Sequence, residues 1–210
     1  MDTKGISFIV KIPDISYKIK IMMQPVRKDG SSFKTLDDFL LYMTLNDKYM
    51  FDFTRLIARI TEHYKLDKYG FVFQEEKSDK GRLYFSFLAD KNSQDPFENE
   101  DLLLHQNYTP NHWFKEYLKD NEKAVQHRSK HSLSFIVPSG NYLIIPNNGY
   151  VSLYDFSNKA SREEIVDFWK HVYLLKQLLN QKGLKSNLNA HVGSHGFQTV
   201  PHFHLRFTIK

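Results

Sequence analysis

The last eleven residues, VPHFHLRFTIK, constrain this chain more than any other stretch because they alternate strictly between two chemistries. On a strand, His202, His204, Arg206 and Thr208 would point one way, and Phe203, Leu205, Phe207 and Ile209 the other. The apolar set predicts a core face. The polar set predicts a row of two imidazoles and a guanidinium, with same-face residues ~6.6 Å apart, about the length of a diphosphate. A neutral imidazole attacks phosphorus when its second nitrogen is held by an acceptor, and neighbouring donors neutralise the charge that builds on the phosphoryl oxygens. His204, central in the row, has the better position for attack.

Upstream, HVGSHGFQTV supplies Gly193 and Gly196 for a tight backbone path, with Gln198 and Thr199 as neutral donors beside the row. Backbone N–H groups in such a loop form an anion cradle. Asn187 and Asn189 either face the row from the preceding strand or belong to a turn.

The rest of the chain reads as a mixture of helices and antiparallel strands. Ile6 to Ile12 and Ile15 to Met23 are rich in Ile, Val and Tyr and predict two strands, closed by the Lys-Asp-Gly turn at 28–30. From Thr35 the spacing becomes helical: Leu36, Phe39, Leu40 and Met43 share one face, then Phe53, Leu56, Ile57 and Ile60 share that of a second helix. Thr35, with Asp37 and Asp38 behind it, suits a helix start. Phe71 to Gln74 and Leu83 to Leu88 predict a hairpin. Their Phe71, Phe73, Phe85 and Phe87 read as strand core or as the wall of a base pocket. Residues 89–130 turn polar and predict an insertion carrying one helix around Trp113, Phe114 and Leu118.

From Leu133 the signals sharpen. Leu133 to Val137 and Tyr142 to Ile145 predict a hairpin around Pro138-Ser139-Gly140, stopped by Pro146. Ser161 and Glu164 form a capping box, and Ile165, Phe168, Trp169, Val172, Leu175 and Leu179 then repeat at helical spacing until Gly183. His171 falls on the polar side of that helix and is expected to be solvated.

GSHGFQTVPHFHLRF resembles the signature of the histidine-triad (HIT-like) superfamily, in which a glycine-containing loop and Gln precede three His at alternate strand positions. LIIPNNGYVSLYDFS resembles that family's strand, Pro and loop before its long helix. The resemblance covers roughly the last 78 residues. It implies an α+β fold, an antiparallel sheet with packed helices, made of an N-terminal α+β extension (1–68) and a HIT-like domain (69–210) with a polar insertion at about 89–130. It further implies binding of a nucleoside phosphate or dinucleotide, with His204 as the nucleophile of a nucleotidyl-histidine intermediate, His202 orienting it, and Gln198, Thr199, Gly193, Ser194 and Asn189 around the phosphates. Arg206 stands where the third His belongs; it can grip phosphate in bidentate fashion but cannot shuttle a proton. The expected activity is hydrolysis or transfer of a nucleotidyl group, the alternative a catalytically inactive nucleotide sensor or interaction module.

Composition narrows the partners. The chain has no cysteine, which excludes disulfides and a thiolate nucleophile and fits the cytoplasm. No stretch has the apolar length of a membrane span. The net charge of +5 favours phosphate-bearing ligands, and nucleic acid is allowed but nothing specific supports it. A homodimer follows from the resemblance. His191 and His195 join His202 and His204 as imidazoles a metal could use, but no carboxylate is well placed among them, so neither a metal nor a cofactor is expected.

Overall fold

The computed structural model of the chain describes residues 6–11, 18–90, 112–193 and 202–210, without the side chains of His112, Trp113 and Lys115. Nine strands form one sheet: β1 (Ile6–Lys11), β2 (Lys18–Arg27), β3 (Phe71–Lys77), β4 (Leu83–Asp90), β5 (Val125–Arg128), β6 (Ser132–Ile136), β7 (Tyr142–Pro146), β8 (Ser186–Val192) and β9 (Leu205–Ile209). Their order is β1-β2-β4-β3-β8-β9-β7-β6-β5, and every neighbouring pair is antiparallel. The fold class is therefore the expected one, α+β with an antiparallel sheet and packed helices. β2 runs past Met23 because β1 continues to pair with it, Ile6 opposite Arg27, beyond the reach of β4.

The helices are α1 (Leu36–Thr44), α2 (Asp47–His63), α3 (His112–Asp120), α4 (Leu153–Lys159) and α5 (Arg162–Gln181). Local chemistry sets their ends. The Thr35 hydroxyl accepts from the Asp38 N–H, and Ser161 and Glu164 form the complete capping box. α5 stops where Gly183 takes φ +71° and the Leu184 N–H returns 2.9 Å to the Leu179 carbonyl, a Schellman closure. α4 lies within the stretch expected to be loop; its N-cap is Ser152.

One sheet face carries Ile21, Met23, Phe71, Phe73, Phe85, Phe87, Leu188, Ala190, Leu205 and Phe207, which pack in a single core with Phe39, Phe53, Phe156, Phe168 and Trp169 from the helices. Burying each of these large side chains contributes about 1.5–3 kcal/mol. Phe53 meets Phe39, Phe85 and Trp169, each at a centroid distance of 5.2 Å, so α1, α2, α5 and β4 converge on it. Phe71, Phe73, Phe85 and Phe87 are fully buried here. They are core and wall no base pocket.

The opposite face holds a smaller cluster at the β6–β7 end, where Leu133, Phe135, Leu143 and Ile145 pack against Phe114 and Leu118 of α3. Elsewhere on this face the residues that alternate with the core are half-buried and mostly polar: Gln74 and Glu76 of β3, Tyr84 of β4, Asn187, Asn189 and His191 of β8, Arg206 and Thr208 of β9. Among the described residues, no helix is long and apolar enough to cross a membrane.

His171 departs from expectation. It is 1% exposed, because β6 presents serines to α5: the Ser132 hydroxyl is 2.8 Å from Nδ1 and the Ser134 hydroxyl 2.9 Å from Nε2. Ser132 and Ser129 also donate to Asp167, at 2.9 and 2.6 Å. Burial, reinforced by His127, lowers the His171 pKa to about 4.

Candidate functional site

The histidine row lies before the last strand rather than on it. β9 begins at Leu205, paired with Ile144, and Pro146 has no N–H with which to extend the ladder toward Phe203. Other bonds fix the segment instead. The Phe203 N–H donates to the Tyr150 carbonyl at 2.6 Å, and the Phe203 ring enters the core against Phe156 and Phe168. His202 is fully buried, with Nε2 donating to the Pro146 carbonyl at 3.1 Å.

His204 is 6% exposed, and its Nδ1 lies 2.9 Å from the carbonyl of His202. A carbonyl can only accept, so the proton is on Nδ1 and the lone pair is on Nε2. Burial lowers the His204 pKa to about 4; the bond to His202 opposes the shift, and the charges of Arg206, His202 and His191 add to it. The ring is neutral at pH 7. Phe114 of α3 roofs both imidazoles, edge-on at 5.3 Å from His202 and 5.8 Å from His204.

Across the sheet, Arg206 stands between Leu143 of β7 and Asn189 of β8, and Asn189 stands opposite Gln74 of β3. Asn189 donates to the Thr208 hydroxyl at 2.9 Å, while its Oδ1 and the Nε of Arg206 are buried without a hydrogen-bond partner among the described residues. Each unmet group costs about 1–3 kcal/mol, a cost that a bound ligand with donors and acceptors relieves. Asn189 is thus a strand residue, not a turn residue. Further along this face Glu76 accepts from Gln74 and Ser86 on one oxygen and from Lys20 and Tyr84 on the other. Burial alone would raise its pKa, but these four donors prevail and bring it to about 2.

Beside the roof, Phe114, Leu118, Leu133 and Ile145 line a cavity of about 530 Å³ whose remaining walls are Lys119, Glu122, Arg128 and Asn147. Its lining thus combines four apolar side chains with Lys119 and the Arg128–Glu122 ion pair, and it shares the Phe114 ring with both histidines. Of the residues expected around the phosphates, Asn189 is on β8, Gly193 follows that strand with φ +74°, and Ser194, Gln198 and Thr199 lie outside the described residues, as does His195. The described residues contain no group of three or more His, Asp or Glu able to hold a metal.

Two features of the site were not read from the sequence. Phe114 looked like one residue of a short amphipathic piece, and nothing local marks it as a roof. His191 was visible, since SNLNAHV alternates without a break, but its sharing a face with Arg206 depends on the register of β8 against β9.

No protein-family model matches the chain, and no curated protein matches it in sequence. Its fold resembles that of a uridylyltransferase, with TM-score 0.58 and 12% identity over 96% of this chain and 67% of that one. A GalT-like protein from Arabidopsis thaliana superposes with TM-score 0.57 and 14% identity, over 94% of this chain and 67% of the other. An ADP-glucose phosphorylase from Arabidopsis thaliana, solved with ADP-glucose bound, gives 0.55 and 13%, over 94% and 66%. The chain thus spans about two thirds of the length of these structures. What it shares with them is their fold.

Proposed function

We propose that this protein binds a nucleoside phosphate or dinucleotide on the sheet face of His204, Arg206 and Asn189 and passes the nucleotidyl group through His204. The carrying observation is the bond from His204 Nδ1 to the His202 carbonyl, which leaves a neutral ring with its lone pair on Nε2. Attack forms an Nε2–P bond and breaks the bond from phosphorus to the leaving group. Water or a second acceptor then takes the nucleotidyl group and restores the imidazole. Arg206 offsets charge on the phosphoryl oxygens, and His202 positions the nucleophile. The resemblance assigns Gly193, Ser194, Gln198 and Thr199 to the phosphates. The cavity beside Phe114 suits the nucleoside, with Phe114, Leu118, Leu133 and Ile145 for the base and Lys119, Asn147 and the Arg128–Glu122 pair as polar lining.

The fold shared with a uridylyltransferase and an ADP-glucose phosphorylase supports this reading. Residues 69–210 would carry the chemistry and residues 1–68 would serve as a docking or dimerising lobe. The test is to incubate the protein with adenosine and guanosine phosphoramidates, dinucleoside polyphosphates and ADP-glucose, then look by intact-mass measurement for an acid-labile nucleotidyl adduct. An adduct in the wild type that is absent from His204→Ala, with nucleotide binding retained, is the expected result. Because Arg206 keeps a fixed charge where a proton shuttle would help, binding without adduct or turnover would favour the sensor reading.

A further inference from the structure

β8 brings a third imidazole to the row. Asn187, Asn189 and His191 alternate with buried Leu188, Ala190 and Val192, so all three share the face of Arg206. The register sets Asn187 opposite Thr208 and Asn189 opposite Arg206, so the next same-face residue of β8, His191, lies toward the end of β9 from which His204 enters. On its other side His191 faces Val72 of β3. His191 is also among the groups that disfavour protonation of His204.

Three other groups on this face are poorly suited to give up a proton. Arg206 stays charged. His202 is fully buried and its Nε2–H is committed to Pro146. Glu76 is held ionised by its four donors. His191 is half-buried on the same face, and an imidazole can both give up and take back a proton through its ring nitrogens.

We propose that His191 is the general acid of the nucleotidyl transfer, supplying from the neighbouring strand the proton that Arg206 cannot supply from its own. The assignment rests on His204 as nucleophile. As Nε2 bonds to phosphorus, the bond from phosphorus to the leaving oxygen or nitrogen breaks, and the proton on His191 moves to that atom. In the second half, water loses its proton to the now neutral His191 as its oxygen bonds to phosphorus and the P–Nε2 bond breaks. Both rings end as they began, and the nucleoside monophosphate is released.

The test compares two leaving groups. Adenosine 5′-phosphoramidate must have its nitrogen protonated to depart, whereas adenosine 5′-(p-nitrophenyl phosphate) releases a stable anion. Adduct formation is followed by rapid quench for wild type, His191→Gln and His191→Asn, with thermal melts to confirm folding. The expected result is a loss of about 10²–10⁴-fold on the phosphoramidate, with the nitrophenyl ester slowed no more than about threefold, and disappearance of the alkaline fall in the phosphoramidate pH profile. Equal slowing of both substrates would make His191 a phosphate contact and overturn the proposal, as would no slowing of either. Absence of an adduct on the wild type with both esters would remove the nucleophile as well as the acid, an outcome distinct from the other two.

Discussion

Phe114 should control the proton affinity of His204. Its ring is 1% exposed, stands edge-on to both imidazoles and packs at 5.4 Å against Phe135, so it separates His204 from water at the β6–β7 end of the face. The fall of the His204 pKa from 6.5 to about 4 corresponds to roughly 3 kcal/mol at about 1.4 kcal/mol per pH unit, and burial is its largest cause. Replacing Phe114 by Ala enlarges the neighbouring cavity of about 530 Å³ and opens it toward His204. The pKa of His204 should then rise by at least one unit, since the charges of Arg206 and His191 persist and hold it below 6.5. A buried Phe→Ala change costs about 3–5 kcal/mol, and the existing cavity places this one toward the lower end. Phe114→Leu retains most of the packing and should raise the pKa by less. The assay is an NMR titration of labelled histidine, with His204→Gln to assign the resonance. A pKa that stays near 4 in Phe114→Ala while the protein remains folded would refute the idea that α3 desolvates the nucleophile.

Acid should destabilise the fold over a definite window. His204 and His171 both have folded pKa values of about 4, below their ordinary 6.5, so the unfolded chain binds more protons between those limits. Their contribution is complete above about pH 6.5, falls as pH drops and is lost below about 4, by up to roughly 3 kcal/mol per ring; urea midpoints that rise from pH 7 to pH 4.5 would contradict this. Arg55 donates to the carbonyls of Ser157 at 2.6 Å and Ala160 at 2.8 Å, and to that of Asn158, tying α2 to the end of α4. Arg55→Ala should therefore cost about 2 kcal/mol in denaturant unfolding, and Arg55→Lys should recover less than half, because an ammonium lacks the planar fork. The Trp169 Nε1–H donates to the buried Thr54 hydroxyl at 2.7 Å. Trp169→Phe should cost about 1–2 kcal/mol, and combining it with Thr54→Val should be less than additive; strict additivity would mean that the bond contributes nothing.

Elements that stabilise themselves were legible in the sequence. The capping box of Ser161 and Glu164, the helical stripe from Ile165 to Leu179 and Gly183 all act within a few residues of one another, and α5 has the predicted ends. The hairpins of β3 with β4 and of β6 with β7 were legible for the same reason. His171 was not, because its partners Ser132 and Ser134 are 39 and 37 residues away, and serines on a strand carry no sign that they face a helix. The short α4 was also missed, in a stretch that the resemblance gave as strand, Pro and loop.

The candidate site divides along the same line. Alternation by itself placed His204 and Arg206 on one side of an extended segment and Phe203, Leu205 and Phe207 on the other, because that depends only on the geometry of successive residues. Where the strand begins is another matter. Pro146 on β7 limits the ladder, and the Tyr150 carbonyl takes the Phe203 N–H, so His202 and His204 sit before β9 under a ring from α3. The tautomer of His204, its lowered pKa, the unmet polar atoms of Arg206 and Asn189 and the approach of His191 all arise from burial and cross-strand register. Those properties belong to pairs of residues far apart in the chain, so tertiary structure decided them, whereas the sequence by itself determined which residue types line that face.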